Sequence, residues 1–195
     1  MLPFFDMAEC VEAVIAAPAH ALHRFESLAA WYLPGKRVRV VAGGETRQDS
    51  VGRALQAAGA DSDLVLIHDA ARPLVRGTLI RRVLDGMRSG YAAAAPALAI
   101  VDTVKRAHGT PLTVECTVDR AGLYAVQTPQ ALRREVAEVA YQRLAADRFE
   151  GTDDVSLVEH FQLGVILLVD GDPENVKVTT TADLQFVQVR LPEIR

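Results

Sequence analysis

Apolar residues along the chain fall into short runs of strand length, separated by stretches where they recur at helical spacing. Val14 to Ala17, closed by Pro18, reads as a strand, and Val38 to Val41, alternating with Arg39 and ending at Gly43-Gly44, reads as another. Leu64 to Ile67 is a continuous apolar run, the pattern of a strand buried on both faces. Tyr91 to Leu98 is alanine-rich but carries Gly90 before it and Pro96 within it, which suits a short buried strand better than a helix. Val165 to Val169 and Asn175 to Thr179 complete the predicted strands. Phe4, Phe5, Met7, Ala8 and Val11 read as the end of an amphipathic helix. Further helices are predicted over Ala19 to Trp31, Val51 to Ala60 and Thr78 to Gly86. Gln130 to Arg148, entered through Thr128-Pro129, is the strongest, followed by a helix capped by Thr152 and one from Thr181 onward. Strand and helix alternate, which predicts an α/β fold with a mostly parallel sheet.

The segment from Ile100 to Tyr124 breaks this pattern. VDTVKRA and TVECTVDRAGLYAV alternate β-branched and charged residues on either side of His108-Gly109-Thr110-Pro111. The expectation is a projecting hairpin, polar on both faces, that packs on another subunit or over an active site. A free-standing hairpin is marginal in water, which favours a homodimer joined through this arm at 100–124.

Length and composition narrow the picture only a little. The 195 residues suit one domain with a real core. A net charge of -4 and the lack of any basic run argue against a nucleic-acid surface. Cys10 and Cys116 have neither metal-ligand nor redox spacing, which points to a reduced, cytoplasmic setting. No apolar run reaches membrane-spanning length, and the N-terminus lacks the basic flank of a signal peptide.

Candidate chemistry begins where the Leu64 run ends. His68-Asp69-Ala70-Ala71-Arg72-Pro73 sits past the carboxyl end of a predicted strand, where open α/β sheets bind ligands. Asp69 can bind a metal or a ribose hydroxyl, Arg72 can fork onto a phosphate, and the small alanines admit a ligand closely. The alternative is an Asp-Arg pair that merely closes a turn. Gly43-Gly44 followed by polar residues and Ser50 can cradle a nucleotide, or simply lead into a capped helix. His20 and His23 could hold a metal only with a third ligand, which is not nearby, and read as a solvated or helix-end pair.

Taken together, GGETRQDSV (43–51), HDAARP (68–73), DTVKRA (102–107), TVDRAGLYAVQTPQ (117–130), TDD (152–154) and NVKVT (175–179) resemble one family, the 2-C-methyl-D-erythritol 4-phosphate cytidylyltransferases. HDAARP followed by VDR and TPQ is a combination shared mainly with the related ribitol-5-phosphate cytidylyltransferases, whose acceptor is the alternative. The resemblance implies a Rossmann-like sheet of the nucleotide-diphospho-sugar transferase type. It implies Mg2+-dependent transfer of a cytidylyl group from CTP to methylerythritol phosphate, a reaction governed by positioning and charge stabilisation. By position in these motifs, Gly44, Glu45, Ser50, Asp69 and Ala70 would bind the nucleotide, with Asp69 at the metal. Arg72, Thr103, Lys105, Arg120, Thr128 and Lys177 would bind the sugar phosphate, Arg120 and Lys177 holding the attacking phosphate in line. The residue types agree: Arg120 is a fixed fork and Lys177 a mobile cation, although each could also be an ordinary exposed side chain.

The same family begins with a strand and a glycine-rich loop carrying an arginine and a lysine, A-A-G-x-G-x-R…P-K. No G-x-G occurs in this chain, and Met1 to Ala8 matches the end of the family's second helix. In that sheet the first strand lies between those of Val14 and Leu64, so its loss would strand backbone groups at about 1–3 kcal/mol each. The expectation is therefore one domain over 1–195, a truncated or mis-started reading that lacks the N-terminal strand and loop. A catalytically inert paralogue that only binds sugar phosphate is the competing reading.

Overall fold

The computed structural model describes residues 2–147 and 149–191. Met1, Arg148 (the expected end of the long helix) and residues 192–195 lie outside the described residues. In chain order the elements are α1 (Leu2–Phe5), β1 (Ala13–Ala17), α2 (Leu22–Tyr32), β2 (Val38–Ala42), α3 (Arg47–Ala57), β3 (Leu64–Ile67), α4 (Gly77–Met87), β4 (Ala93–Ala99), β5 (Val104–His108), β6 (Thr113–Val118), β7 (Tyr124–Val126), β8 (Gln130–Arg133), α5 (Arg134–Leu144), α6 (Val155–His160), β9 (Ile166–Asp170) and α7 (Thr181–Arg190).

The α/β class holds, but the sheet is not mostly parallel. The main sheet runs β3-β8-β4-β7, every neighbour antiparallel, with β9 joined to β4 in parallel. The reason is the arm. β7 and β8 return from it directly, without a crossover helix, and a strand that returns that way must run antiparallel to β4. β1 and β2 pair in parallel as a separate sheet, and β3 pairs with β8 alone. As an edge strand, β3 is less covered than its apolar run suggests, and only Ile67 in it is buried.

Other boundaries also moved. Gln130 to Arg133 is a strand, not the start of a helix, because tertiary pairing with β3 and β4 overrides local propensity there. α3 begins at Arg47, four residues before the expected start, since Thr46 and Asp49 form a capping box around its first turn. Thr152 is not the cap of α6; the Asp153 carboxylate accepts from the Ser156 N–H at 2.9 Å instead. Asn175 to Thr179 is a loop, fixed by the Val178 N–H donating to the Ala71 carbonyl at 2.8 Å.

β4 is the centre of the core. Ala93, Ala94 and Ala95 are wholly buried, and their small side chains let helices approach both faces. Val83 and Met87 of α4 pack with Ala94 and Ala131 on one side. Leu55 of α3, Ala137 of α5 and Val155 and Val158 of α6 pack with Ala93, Ala95 and Leu132 on the other. β5 and β6 form their own hairpin, with Val101, Leu112 and Val114 largely exposed on or beside it. Among the described residues, no helix is long and apolar enough to cross a membrane.

Candidate active site

The chain leaves β3 at His68 and makes a tight turn in which the Arg72 N–H donates to the Asp69 carbonyl at 2.9 Å. That turn presents Asp69 to two cations. Arg47 Nε donates to its Oδ1 at 2.8 Å, and Lys177 Nζ lies 2.9 Å from its Oδ2. Burial pushes the Asp69 pKa up, but the hydrogen bonds and charges of Lys177 and Arg47 outweigh it, and the carboxyl sits below its ordinary value.

Behind the turn stands Thr128. Its hydroxyl oxygen accepts from the Asp69 N–H at 3.1 Å and meets His68 Nδ1 at 2.9 Å, while His68 Nε2 meets the Arg72 carbonyl at 3.1 Å. The partners fix the protons: His68 donates from Nε2 to the carbonyl, and its Nδ1 accepts from the threonine hydroxyl. Burial lowers the His68 pKa to about 4, so the ring is neutral at pH 7. Thr128, expected to touch the sugar phosphate, is buried and spends its hydroxyl on this support.

Arg72 Nη1 donates to the Asn175 carbonyl at 2.8 Å, and its Nε is buried with no partner. Burial lowers its pKa. A half-buried guanidinium satisfied this incompletely is suited to an anion that completes it.

The residues Gln127-Thr128-Pro129-Gln130 tie the remaining segments together. Gln127 accepts from the Asp172 N–H at 3.0 Å and donates to the Asp172 carbonyl at 2.9 Å, which hangs the loop of Lys177 on the sheet. Asn175 Nδ2 donates to the Thr128 carbonyl at 2.8 Å. Gln130 Oε1 accepts the N–H groups of Asp154 and Val155 at 2.9 and 3.0 Å, holding the start of α6. Asp154, fully buried, then receives Arg47 Nη2 and the Tyr141 hydroxyl, each at 2.6 Å. Burial and the Asp154 charge both push the Tyr141 phenol up, so it remains a donor.

The glycine loop lies beside this cluster. Gly44 N–H donates to the Ser50 hydroxyl at 3.0 Å, and a Cβ on Gly44 would stand 2.1 Å from that of Asp49. Only glycine fits so close a return of the chain. Glu45 and Ala70 are exposed at the rim.

Asp69 and Lys177 meet as an ion pair past the end of β3, and Arg72, in the same turn, reaches the Asn175 carbonyl two residues before Lys177. The arm residues keep to the arm: Lys105 Nζ donates to Thr117 at 2.6 Å, and Arg120 donates to the Val101 carbonyl. Thr103 is exposed just before β5. Arg47, Asp154, Gln127 and Gln130 were missed in the sequence. One signal was available for Arg47: a cation in the first turn of a helix opposes the helix dipole, and so calls for carboxylates close by.

Among the described residues, no group of three His, Cys, Asp or Glu side chains could hold a metal ion. Asp69 offers one carboxylate. That suits a Mg2+ carried in on a nucleotide's phosphates, and does not suit a centre built from protein alone.

Comparison with known proteins gives the site its context. The model of the family described as IspD, 2-C-methyl-D-erythritol 4-phosphate cytidylyltransferase, matches residues 3–193. A protein of that name from Geobacillus kaustophilus is 41% identical over 93% of this chain and 78% of its own length. One from Geobacillus thermodenitrificans is 40% identical over 97% of this chain and 82% of its own. Among solved structures, 4-diphosphocytidyl-2C-methyl-D-erythritol synthase from Anaerococcus prevotii superposes with a TM-score of 0.83 at 28% identity, covering 97% of this chain and 87% of that one. The match from residue 3 to 193 gives no support to the expectation of a truncated chain.

Proposed function

Since this chain belongs to the 2-C-methyl-D-erythritol 4-phosphate cytidylyltransferase family, we propose that it transfers a cytidylyl group from CTP to 2-C-methyl-D-erythritol 4-phosphate. An oxygen of the acceptor phosphate bonds to the α-phosphorus of CTP, the bond from that phosphorus to the bridging oxygen breaks, and pyrophosphate leaves. The observation that carries this reading is the convergence of Lys177, Asp69 and the under-satisfied Arg72 at the carboxyl end of β3. Such a displacement needs phosphates held in line and charge neutralised as it builds, with no covalent intermediate.

Gly44, Glu45, Ser50, Asp69 and Ala70 take the nucleotide, the Gly44-Ser50 turn shaping the cradle. Arg72 and Lys177 take the sugar phosphate from this chain, with Lys177 exposed enough to swing from Asp69 to the attacking phosphate. Thr128 supports the site from behind. Thr103, Lys105 and Arg120 reach the acceptor from the arm of a partner copy in a homodimer. Asp69 is the carboxylate of this chain that would hold a Mg2+ bound on the triphosphate, and the ion would supply charge neutralisation there. A cytoplasmic setting fits the free Cys10 and Cys116.

The test is incubation of the purified chain with CTP, Mg2+ and methylerythritol phosphate, with ribitol 5-phosphate in a parallel arm. The reading predicts pyrophosphate and the cytidine diphosphate product in the first arm and at least about tenfold less in the second. Preference for ribitol phosphate moves the acceptor assignment, and silence in both arms overturns the reading.

A further inference from the structure

We propose that Arg47 is a positioning residue for cytidylyl transfer, fixing the Asp69 carboxylate by one oxygen so that the other is presented to the reacting groups. The inference rests on the cytidylyl-transfer reading above and adds to it a residue outside the motif positions that contact either substrate.

Arg47 is the first residue of α3, directly after the glycine loop. Its fork spans two carboxylates from different parts of the chain: Nε donates to Asp69 Oδ1 at 2.8 Å and Nη2 to Asp154 Oδ2 at 2.6 Å. Asp154 is a fixed post. It has no solvent exposure, Tyr141 holds its Oδ1 at 2.6 Å, and Gln130 accepts from its backbone N–H at 2.9 Å. The guanidinium is planar and rigid, so anchoring one edge on Asp154 sets where the neighbouring edge can meet Asp69.

Asp69 has no comparable second anchor. The partner of its Oδ2, Lys177, has a side chain 45% exposed and a long flexible stem. If Lys177 moves to the phosphate during reaction, Arg47 alone keeps the carboxylate oriented. The charge on Arg47 is secure in this role: burial works against it, but the hydrogen bonds and charges of Asp154 and Asp69 hold its pKa above the ordinary arginine value. Lysine is a point charge and cannot reproduce a fork between two fixed acceptors.

Arg47→Gln alone would strand the buried Asp154 charge and damage folding. The test therefore uses Arg47→Gln with Asp154→Asn, which removes cation and anion together and is first checked for a thermal midpoint close to the parent's. In the full chain, this pair is expected to lower kcat on the order of 10- to 100-fold, because misplacing a catalytic group by about 1 Å costs that much. In an Asp69→Asn background the same pair is expected to cost less than about twofold, since the group it positions is gone. A parent-like kcat in the folded pair, or an equal loss in both backgrounds, overturns the proposal. A crystal structure of the Arg47→Gln/Asp154→Asn chain gives a readout independent of turnover. Asp69 is expected to leave its rotamer and lose its 2.9 Å contact with Lys177, and an unmoved Asp69 overturns the proposal. A parent chain that makes no product overturns the cytidylyl-transfer reading instead, and the crystal structure still decides the role of Arg47.

Discussion

Lys177 Nζ lies 2.9 Å from Asp69 Oδ2, joining two residues 108 positions apart (177 − 69) at the mouth of β3. The pair is held from both sides: the Asp69 backbone by the His68-Thr128 network and its carboxylate by Arg47, and the Lys177 loop by Gln127 and Asn175. An exposed lysine contributes little to stability through such a pair, about 0–1 kcal/mol. Its value is in charge. Lys177→Gln is expected to melt within a few degrees of the parent while kcat falls on the order of 100-fold, as when one transition-state donor is removed. Pyrophosphate release measured beside thermal unfolding checks this, and a variant with parental turnover refutes the role.

His68 makes folding sensitive to mild acid. Its pKa is lowered by burial to about 4 from a reference value of 6.5, so between those values the unfolded chain binds more protons than the folded one. Its contribution is therefore fully present above about pH 6.5 and is lost as pH falls toward about 4, up to roughly 3 kcal/mol in all. Urea unfolding at pH 7 and pH 4.5 should show a larger drop for the parent than for His68→Gln. Equal drops would remove the histidine from this account.

Gln130 is buried to 1% exposure and serves as acceptor for two N–H groups at the start of α6. Gln130→Leu keeps much of the volume but leaves both donors unpaired in the interior. The expected cost is about 2–4 kcal/mol, read from the denaturant midpoint. A loss below about 0.5 kcal/mol, the usual range for surface changes, would show that other acceptors take over.

The arm carries exposed apolar side chains, with Val114 at 64% and Leu112 at 79% exposure. If this face joins two copies, Val114→Asp should convert a dimer to a monomer in analytical ultracentrifugation, because burying an unpaired carboxylate is costly. Turnover should fall with it, since Arg120 would then be lost to the neighbouring site. A parent chain that sediments as a monomer at micromolar concentration excludes the shared-site arrangement.

The order of elements was legible wherever the hydrophobic pattern was unambiguous. β1, β2, β3, β4, β9 and α4 fall close to their predicted places, and the polar ribbon between Ile100 and Tyr124 does form a hairpin. HDAARP stood out as a candidate site because an abrupt change from apolar to charged residues at a strand end is visible in one dimension. Gln130 to Leu132 was misread because alanine and leucine suit a helix locally, and only the slot between β3 and β4 makes them a strand.

By itself, then, the sequence determined the strand-helix alternation, the arm and the chemical character of Asp69, Arg72 and Lys177, since each depends on neighbours along the chain or on side-chain type. The tertiary structure decided the antiparallel pairing, the inward role of Thr128, and the bridge from Arg47 to Asp69 and Asp154. Those depend on contacts between segments more than 20 residues apart (22 for Arg47 and Asp69, 107 for Arg47 and Asp154). Such contacts form because buried polar groups must find partners wherever folding brings them, and no local pattern encodes which partner that will be.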